Sequence, residues 1–314
     1  MIAHLYMRQT ASVRTRSGTT EPASIGRGVR QGCLISPLLF NIYAEAMIKE
    51  ALDEVEEGIN VGGKLVKSVR FADDQAMVAS TEEGLQSIMD CVNRVNDRYG
   101  MKINIKKTKV MKIGRQHGLA NIEVNGQRLE QVNHFKYLGS LIAEDGYCEK
   151  EIRARVAMAK ATFEKHNSLL TGCLSLQLKK RLVRCFVWSV LMYGSETWTL
   201  KKADRKRIDA LEMWIWRRME KIKWIDKVTN DNILTRVKEP RLKIIESIKA
   251  RKKRWIGHVL RHDSLLKDVL EGRMEGKRPR GRKRFMMMDD IQNKRSYQQM
   301  KMDANDRELW RGLP

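Results

Sequence analysis

The spacing of hydrophobic and polar positions divides the chain near Gly146. Before that residue, helical spacing alternates with the two-residue period of strands, which predicts helices interleaved with hairpins. One helix is predicted from Ser36-Pro37, an N-cap and first-turn pair, to about Leu52. A second is predicted from a capping box at Ser80–Glu83 to Gly100. After Gly146 the strand pattern ends, and helices are predicted over residues 149–171, 175–193, 203–224 and 240–261.

The apolar positions of these helices also predict the core. They are Leu38, Leu39, Ile42, Tyr43, Ala46 and Met47 in the first helix, Leu85, Ile88, Met89, Val92, Val95 and Tyr99 in the second, and Ile152, Val156, Phe163, Leu182, Phe186 and Val190 beyond Gly146. Tryptophans also lie among the basic residues of the second half, at Trp188, Trp198, Trp214, Trp216, Trp224 and Trp255. Rings among cations can stack on nucleic-acid bases. At helical spacing they are more often core, which is the favoured interpretation.

Short alternating segments predict further strands after the second helix. They cover residues 101–105, 108–114, 121–130 with an Asn125-Gly126 hairpin turn, and 134–142. The order of helix, hairpin, helix and strands predicts an α+β first half, with helices on one face of an antiparallel sheet.

The stretch from Val69 to Val78 carries the clearest chemistry. Two short apolar runs flank Asp73 and Asp74, which predicts a β-hairpin with two carboxylates at its tip. Adjacent carboxylates repel each other, and a divalent cation can offset this repulsion. Mg²⁺ takes oxygen ligands from carboxylates and substrate phosphates. The alternative is an ordinary solvated turn, in which Asp is a common residue.

The net charge of +23 is distributed unevenly, with about +2 over residues 1–150, +10 over 151–240 and +11 over 241–314. This distribution favours chemistry in the first half and the holding of a polyanion in the second. Binding to a membrane surface is a weaker interpretation, because the cations are spread over several helices. No apolar run approaches the roughly 18 residues of a membrane span.

The cysteines and histidines give weaker signals. Five scattered cysteines without a CxxC pair argue against disulfides or a zinc knuckle, and they fit a reducing compartment. His258 and His262 stand four apart on a predicted helix, where stacking or phosphate contact is favoured over zinc because no second ligand pair lies nearby. The tail adds a basic run of the kind that grips phosphate or serves as a nuclear address, with Arg278, Arg280, Arg282, Lys283 and Arg284 as candidate nucleic-acid contacts.

Four short motifs follow one another along the chain: Arg30-Gln31-Gly32 with Ser36-Pro37, Phe71-Ala72-Asp73-Asp74, Lys107-Thr108 and Tyr137-Leu138-Gly139. Together they resemble the palm of reverse transcriptases, particularly those of non-LTR (LINE-type) retrotransposons. The resemblance runs from about Gly28 through the helices to the basic tail. It implies an RNA-directed DNA polymerase that extends a primer on an RNA template by two-metal phosphoryl transfer.

The resemblance also implies a role for each motif. Asp73 and Asp74 would be the catalytic metal ligands, for Mg²⁺ or alternatively Mn²⁺, and Lys107 would close over the triphosphate. Further residues are implied by the same match: Arg30, Gln31, Gly32 and Phe71 at the nucleotide and template, and Tyr137, Leu138 and Gly139 as a primer grip. For Tyr137 a core position is favoured over direct primer contact.

The implied organisation is a partial palm over residues 28–146, a helical thumb over 147–225 and a basic helical extension over 226–314. Residues 1–27 would be a truncated remnant, because they contain no Asp and only Glu21 as an acid, whereas such polymerases need a further aspartate upstream. The sequence therefore predicts a C-terminal fragment that is inactive by itself. A non-catalytic nucleic-acid-binding remnant is the alternative function.

The partners implied are an RNA template, a DNA primer and the element's own RNA, with no membrane. The expected location is intracellular and reducing, in the nucleus and the cytoplasm, with the basic tail serving nuclear import.

Overall fold

The computed structural model describes residues 4, 6–26, 28–114, 118–272, 281, 285–292 and 295–312 of the 314-residue chain. The chain divides into two compact units. The first comprises residues 1–108 and 121–129, and the second comprises residues 109–120 and 130–314.

Short strands occur in both units. They are β1 (Gln9–Ala11), β2 (Arg14–Thr15), β3 (Gly18–Thr19), β4 (Ala23–Ile25), β5 (Ile59–Val61), β6 (Lys64–Val66), β7 (Ser68–Phe71), β8 (Asp74–Met77), β9 (Lys109–Val110), β10 (Glu123–Val124), β11 (Gln127–Arg128), β12 (Glu130–Gln131), β13 (His134–Tyr137) and β14 (Ser140–Ala143). They pair only two by two within the described residues: β1 with β4, β2 with β3, β5 with β6, β7 with β8, β10 with β11 and β13 with β14 antiparallel, and β9 with β12 parallel.

The mixture of helices and small sheets is compatible with the α+β class, but the described strands do not join into one antiparallel sheet. The prediction of a strand over 101–105 is wrong, because Asn104 begins a turn whose carbonyl oxygen accepts from the amides of Lys107 and Thr108. The Asn125-Gly126 hairpin is confirmed, and both turn residues have the positive φ of a type I′ turn.

The α-helices of the described residues are α1 (Ser36–Asp53), α2 (Glu82–Arg98), α3 (Glu149–Lys165), α4 (Asn167–Thr171), α5 (Leu176–Leu182), α6 (Ser189–Leu191), α7 (Lys202–Met219), α8 (Asn230–Arg236), α9 (Ile244–Arg261), α10 (Leu265–Glu271), α11 (Tyr297–Asn305) and α12 (Arg307–Gly312). A π-helical segment, Val183–Trp188, joins α5 to α6. The helices predicted beyond Gly146 are therefore present, with a break at His166. None of the described helices combines the length and the apolarity needed to cross a bilayer.

Both predicted N-caps are off by one residue. Ser36 is already helical, and its hydroxyl lies 3.1 Å from the Tyr6 hydroxyl oxygen instead of capping the helix. Thr81 is the cap of α2 and accepts from the Gly84 amide at 3.0 Å, while Ser80 donates to the Gly58 carbonyl oxygen. The capping box is therefore replaced by a single threonine cap.

The core of the first unit lies between α1 and α2. It contains Met47, Ile48, Ala51 and Leu52 of α1 together with Ile88, Val92 and Val95 of α2. The predicted burial of the first half of α1 is wrong: Leu38 is 61% exposed and Ile42 60% exposed, and Tyr43 and Ala46 are exposed as well. The buried residues that pack against α2 lie in the second half of α1. In the first half, Tyr43 contacts Tyr99, the C-cap residue of α2, from an exposed position, so the apolar pattern there predicts a core that is not formed.

The core of the second unit gathers residues of α3, the 176–191 segment, α7 and the start of α9. Ile152 and Phe163 are buried as predicted. Phe186 is 39% exposed and stacks on His166, whereas Val183, Val187 and Leu191 are buried. The buried stripe is thus shifted by one residue from the predicted Leu182, Phe186 and Val190, because Val183, Val187 and Leu191 occupy the face that packs into the core with Ile152 and Phe163.

The tryptophans named above differ in burial, and Trp214 and Trp255 are partly buried against core clusters. Trp188, Trp198 and Trp216 are buried in the core, as predicted. Trp224 is 91% exposed. For this one ring the core interpretation is wrong.

Candidate active site and nucleic-acid interface

The carboxylate pair predicted from sequence lies at the tip of the β7–β8 hairpin. The last pair of this ladder is Phe71 with Asp74, so that Ala72 and Asp73 form the two-residue turn. Ala72 has a φ of 53°, in the left-handed region that residues with a Cβ rarely adopt. Asp73 and Asp74 are both exposed. The predicted hairpin is therefore confirmed, with its two carboxylates facing solvent.

Two contacts of the preceding strand fix the direction of this hairpin. Lys67 donates to the Leu52 carbonyl oxygen at 2.7 Å, and the Arg70 guanidinium lies 3.0 Å from Glu45 Oε2. From Leu52 back to Glu45 is about 10 Å of helix, and from Lys67 to Arg70 is about 10 Å of strand. Strand β7 therefore runs antiparallel to α1, and its tip points toward the first turns of α1.

Exposed apolar side chains occur on both elements at this end. Phe71 is 63% exposed at the tip, and Leu38 and Ile42 are exposed in the first turns of α1. The Phe71 ring does not belong to the hydrophobic core. It is accessible to a ligand, as the predicted role at the nucleotide requires.

The Arg30–Gly32 turn immediately precedes α1. Gly32 has a φ of 82°, which glycine adopts without a steric penalty, and the Cys33 amide donates to the Arg30 carbonyl oxygen. The Arg30 guanidinium lies over the Tyr6 ring, 6.0 Å from its centroid, and Gln31 is exposed. The turn and the hairpin tip thus belong to the same end of α1. The contact with Tyr6 had no signal in the sequence.

Cys33 directly follows this turn, and the pKa of its thiol is shifted. The Ile35 backbone amide, followed by the Ser36 hydroxyl, donates to its sulfur and holds the pKa of the thiol below its usual value. Cys148 in the second unit is the contrast, since burial raises the pKa of its thiol.

Lys107 lies in the exposed turn that begins at Asn104. Its amide donates to the carbonyl oxygen of Asn104 at 3.0 Å and to the side-chain oxygen of Asn104 at 3.2 Å. Both contacts are made by the backbone amide of Lys107, so they fix the backbone of the turn and do not determine where the side-chain ammonium lies. Lys107 belongs to the same compact unit as Asp73. Its role at a triphosphate stays a prediction.

The hairpin tip places two carboxylates, candidate metal ligands, next to each other. No group of three or more His, Cys, Asp or Glu side chains is arranged as a metal site in the described part of the chain. Mg²⁺ in phosphate-handling enzymes is held by one or two carboxylates together with substrate phosphates and water. Asp73 and Asp74 fit that kind of shared site, in which the substrate supplies further oxygen ligands.

The predicted primer-grip residues form a second turn, in the other unit. Strands β13 and β14 are antiparallel, and Leu138-Gly139 is the two-residue loop between them. Their φ values of 47° and 79° are those of a type I′ hairpin turn. The single strand predicted over 134–142 is therefore a hairpin.

Both carbonyl oxygens of this turn are bound by side chains from other elements. Tyr193 donates from its hydroxyl to the Leu138 oxygen at 2.7 Å, and Arg155 donates to the Gly139 oxygen. The Arg155 guanidinium also lies over the Tyr193 ring, 4.5 Å from its centroid. The two donors thus hold the turn together.

Glu151 completes this arrangement. It accepts from the Leu141 amide at 2.8 Å and from Arg155 Nε at 2.7 Å, and both charged side chains are almost fully buried. Sequence reasoning missed Glu151, Arg155 and Tyr193. The spacing of Glu151 and Arg155, four residues apart on a helix, was the available signal.

Two further sets of residues were predicted to contact nucleic acid, the basic run of the tail and a pair of histidines. Arg278, Arg280, Arg282, Lys283 and Arg284 lie outside the described residues. His258 lies in the last turn of α9 and His262 is the C-cap residue that follows it; both are exposed, with ring centroids 4.5 Å apart.

Known proteins are similar to parts of this chain. A family model described as reverse transcriptase (RNA-dependent DNA polymerase) matches residues 2–142. A transposon-derived protein of Caenorhabditis elegans is 25% identical over 213 residues, which are 65% of this chain and 75% of that protein.

Two further relatives are much longer than the match. The Pol polyprotein of the type-1 retrotransposable element R2 of Nasonia vitripennis is 27% identical over 46% of this chain and 14% of its own length. The RNA-directed DNA polymerase from the mobile element jockey of Drosophila melanogaster is 24% identical over 64% of this chain and 22% of its own length. The chain thus spans less than a quarter of these two relatives.

Proposed function

The chain is a relative of the reverse transcriptases of non-LTR retrotransposons, and on that premise we propose that it is part of an RNA-directed DNA polymerase. The reaction adds deoxynucleotides to a primer on an RNA template. The observation that carries the proposal is the Asp73–Asp74 pair, exposed at a hairpin tip that points toward the start of α1, inside the segment that matches the family.

Asp73 and Asp74 hold a divalent cation in this proposal, with Mg²⁺ favoured and Mn²⁺ as the alternative. Such an ion stabilises the charge of an in-line phosphoryl transfer when it is bound. The exposed Phe71 ring and the Arg30–Gly32 turn border the nucleotide, because both belong to the end of α1 toward which the carboxylates point. Lys107 neutralises charge on the triphosphate.

The second unit holds the nucleic acid in this proposal. Residues 151–314 carry about +21 of the net charge, which is the electrostatic footprint of polyanion binding. The clamped Leu138-Gly139 turn offers a rigid edge for a primer strand, and the basic tail adds phosphate contacts and nuclear import. The partners are the RNA template, the DNA primer and the element's RNA, in the nucleus and the cytoplasm.

A second candidate function is the holding of nucleic acid without synthesis. The observation that favours it is the donor set at the hairpin tip, which supplies two carboxylates with no third metal-ligating side chain grouped with them among the described residues. Two such carboxylates repel each other and hold a metal weakly until a substrate adds oxygen ligands.

Primer extension separates the two candidates. The 314-residue chain is incubated with a poly(rA) template, an oligo(dT) primer, dTTP and Mg²⁺, and primer binding is measured in parallel by fluorescence anisotropy. Asp73→Asn removes one carboxylate charge, and Asp97→Asn on the exposed face of α2 is the matched control.

Synthesis that Asp73→Asn abolishes and Asp97→Asn preserves is the result expected of the polymerase. Equal template–primer binding by all three proteins without extension, together with no effect of Asp73→Asn on the binding of Mn²⁺ and deoxynucleoside triphosphate, is the result expected of the second candidate. A chain that binds no template–primer at low salt contradicts both.

A further inference from the structure

The loop between α7 and α8 presents two large apolar side chains to solvent. Trp224 is 91% exposed and Ile225 is 75% exposed, whereas Trp188, Trp198 and Trp216 of the same unit are buried. A tryptophan gains more from burial than almost any other side chain. A ring left this exposed beside an apolar neighbour therefore marks a contact surface and not a packing role.

The loop is held in place at both ends. Ile222 and Val228 pack against the core of the unit, and Arg217 donates to the Val228 carbonyl oxygen and to Asn230 Oδ1, both at 2.9 Å. The ring is thus presented from a fixed base.

The tip itself is a short 3₁₀ turn, Trp224–Asp226. The Asp226 carboxylate accepts from the Lys223 amide at 2.7 Å, and the Lys227 amide donates to the Trp224 carbonyl oxygen. Because the backbone is fixed, a partner that covers the ring does not first have to order the loop.

Three lysines lie within three residues of this ring in the sequence. Lys221, Lys223 and Lys227 are exposed, and none of them forms an ion pair within the described residues. The nearby Asp226 carboxylate is engaged in capping the turn. An aromatic face with three available ammonium groups complements a base and its phosphates better than it complements an apolar peptide.

We propose that Trp224 is a stacking platform for an unpaired base of single-stranded nucleic acid, with Lys221, Lys223 and Lys227 contacting the flanking phosphates. The ring offers only a flat face, so the site tolerates any base. A lipid surface also takes Trp and Lys together, but it needs an extended amphipathic segment, whereas this tip carries two apolar residues on a turn. The proposal rests on the nucleic-acid binding in the proposed function and is independent of synthesis.

Fluorescence anisotropy of the 314-residue chain with a labelled oligo(U) and with a labelled RNA–DNA duplex tests the proposal. Trp224→Ala should weaken oligo(U) binding by about 5- to 150-fold, the cost of one base–aromatic stack, and Trp224→Phe by less. The dependence of affinity on salt should stay the same in Trp224→Ala, since the lysines remain. Lys223→Gln should reduce the salt slope by about 0.7, as expected for one phosphate contact to a single strand.

Met302→Ala, which removes another side chain that is mostly exposed, is the control and should leave both affinities unchanged. An unchanged melting temperature of Trp224→Ala shows that the variant is folded. The proposal is overturned if Trp224→Ala and wild type bind oligo(U) with equal affinity. It is also overturned if Trp224→Ala loses as much affinity for the duplex as for oligo(U).

Binding to vesicles of phosphatidylcholine and phosphatidylserine is measured as a third comparison, beside oligo(U) and the duplex. Vesicle binding that disappears in Trp224→Ala while oligo(U) binding persists assigns the loop to a lipid surface instead. A wild-type chain that binds neither nucleic acid is a failure of the proposed function, and this proposal falls with it.

Discussion

Tyr193 donates a hydrogen bond to the Leu138 carbonyl oxygen over 2.7 Å, and its ring lies beneath the guanidinium of Arg155. Arg155 in turn binds the Gly139 oxygen and Glu151. The β13–β14 turn is therefore fixed by a partly buried polar network. A turn whose carbonyls are both occupied by side chains presents its strand edge in one orientation, which suits the positioning of a primer.

Removal of Arg155 should be far more damaging than removal of the Tyr193 hydroxyl. Arg155→Ala leaves the Glu151 carboxylate buried without its cation and should cost about 3–5 kcal/mol of unfolding free energy. Tyr193→Phe removes one partly exposed hydrogen bond and should cost about 0.5 kcal/mol. Urea denaturation measures both.

Arg153→Ala is the matched control for this comparison. Arg153 pairs with Glu149 at the same i,i+4 spacing on α3, but its side chain is exposed. Its loss should cost no more than about 0.5 kcal/mol. Equal costs for Arg155→Ala and Arg153→Ala would contradict the structural importance of the buried network.

Ala72 provides a second prediction, because its φ of 53° is strained for a residue with a Cβ. Ala72→Gly should raise the unfolding free energy by up to about 1 kcal/mol, since relief of left-handed strain exceeds the entropic cost of glycine. Ala76→Gly, inside β8, should lower it by a similar amount. A stability loss in Ala72→Gly equal to that in Ala76→Gly would show that the turn is not strained.

Local patterns predicted the elements that carry the site. Asn125-Gly126 specifies a two-residue turn through its own backbone preferences, and the Asp73–Asp74 hairpin follows from short apolar runs on either side. These features depend on residues close in sequence. They could be predicted because no distant contact overrides them.

Burial depends on distant contacts and was harder to predict. Leu38 and Phe186 have the spacing of core residues, yet the buried contact with α2 forms in the second half of α1. Val187, next to Phe186, takes the buried position in its place. Glu151 and Tyr193 meet the Leu138-Gly139 turn only after folding. The i,i+4 spacing of Glu151 and Arg155 indicates that the two side chains can pair, but no short motif shows that they contact this hairpin.

Glu239 gives a prediction about pH. Burial alone would raise the pKa of its carboxyl, but hydrogen bonds and charge from Lys180 and Lys243 outweigh burial and hold the pKa below its usual value. A lowered folded pKa contributes stability above the ordinary carboxyl pKa of about 4.3, and that contribution is lost as the pH falls through the folded value.

Glu239→Gln should therefore lower the unfolding free energy by about 3 kcal/mol at pH 7, because Lys180 stays buried beside a neutral side chain. The difference from wild type should shrink at pH 3. Urea denaturation at the two pH values measures it, and Glu54→Gln, which breaks an exposed pair with Arg94, is the control. A difference that is independent of pH would contradict the ionic role of Glu239.

Thiol reactivity tests the turn that precedes α1. Cys33 has a pKa lowered by the Ile35 amide and the Ser36 hydroxyl, so more of it is thiolate at pH 7.5 than of Cys148, whose pKa burial raises. Iodoacetamide should label Cys33 well before Cys148, as followed by mass spectrometry of the digested protein. Ser36→Ala should slow the labelling of Cys33, and an unchanged rate would show that the hydroxyl has no part in the shift.

The last prediction concerns the metal. Asp73 and Asp74 are two exposed carboxylates with no third ligand grouped with them in the described part of the chain, so Mn²⁺, a spectroscopic substitute for Mg²⁺, should bind weakly to the chain alone. A deoxynucleoside triphosphate adds phosphate oxygens to the same ion and should tighten its binding. Electron paramagnetic resonance of free Mn²⁺ measures both affinities. Asp73→Asn should weaken the nucleotide-dependent binding by about tenfold, roughly 1.4 kcal/mol, whereas Asp97→Asn should leave it unchanged. If the nucleotide enhanced Mn²⁺ binding equally in wild type and Asp73→Asn, the hairpin tip would not be the site at which metal and substrate meet.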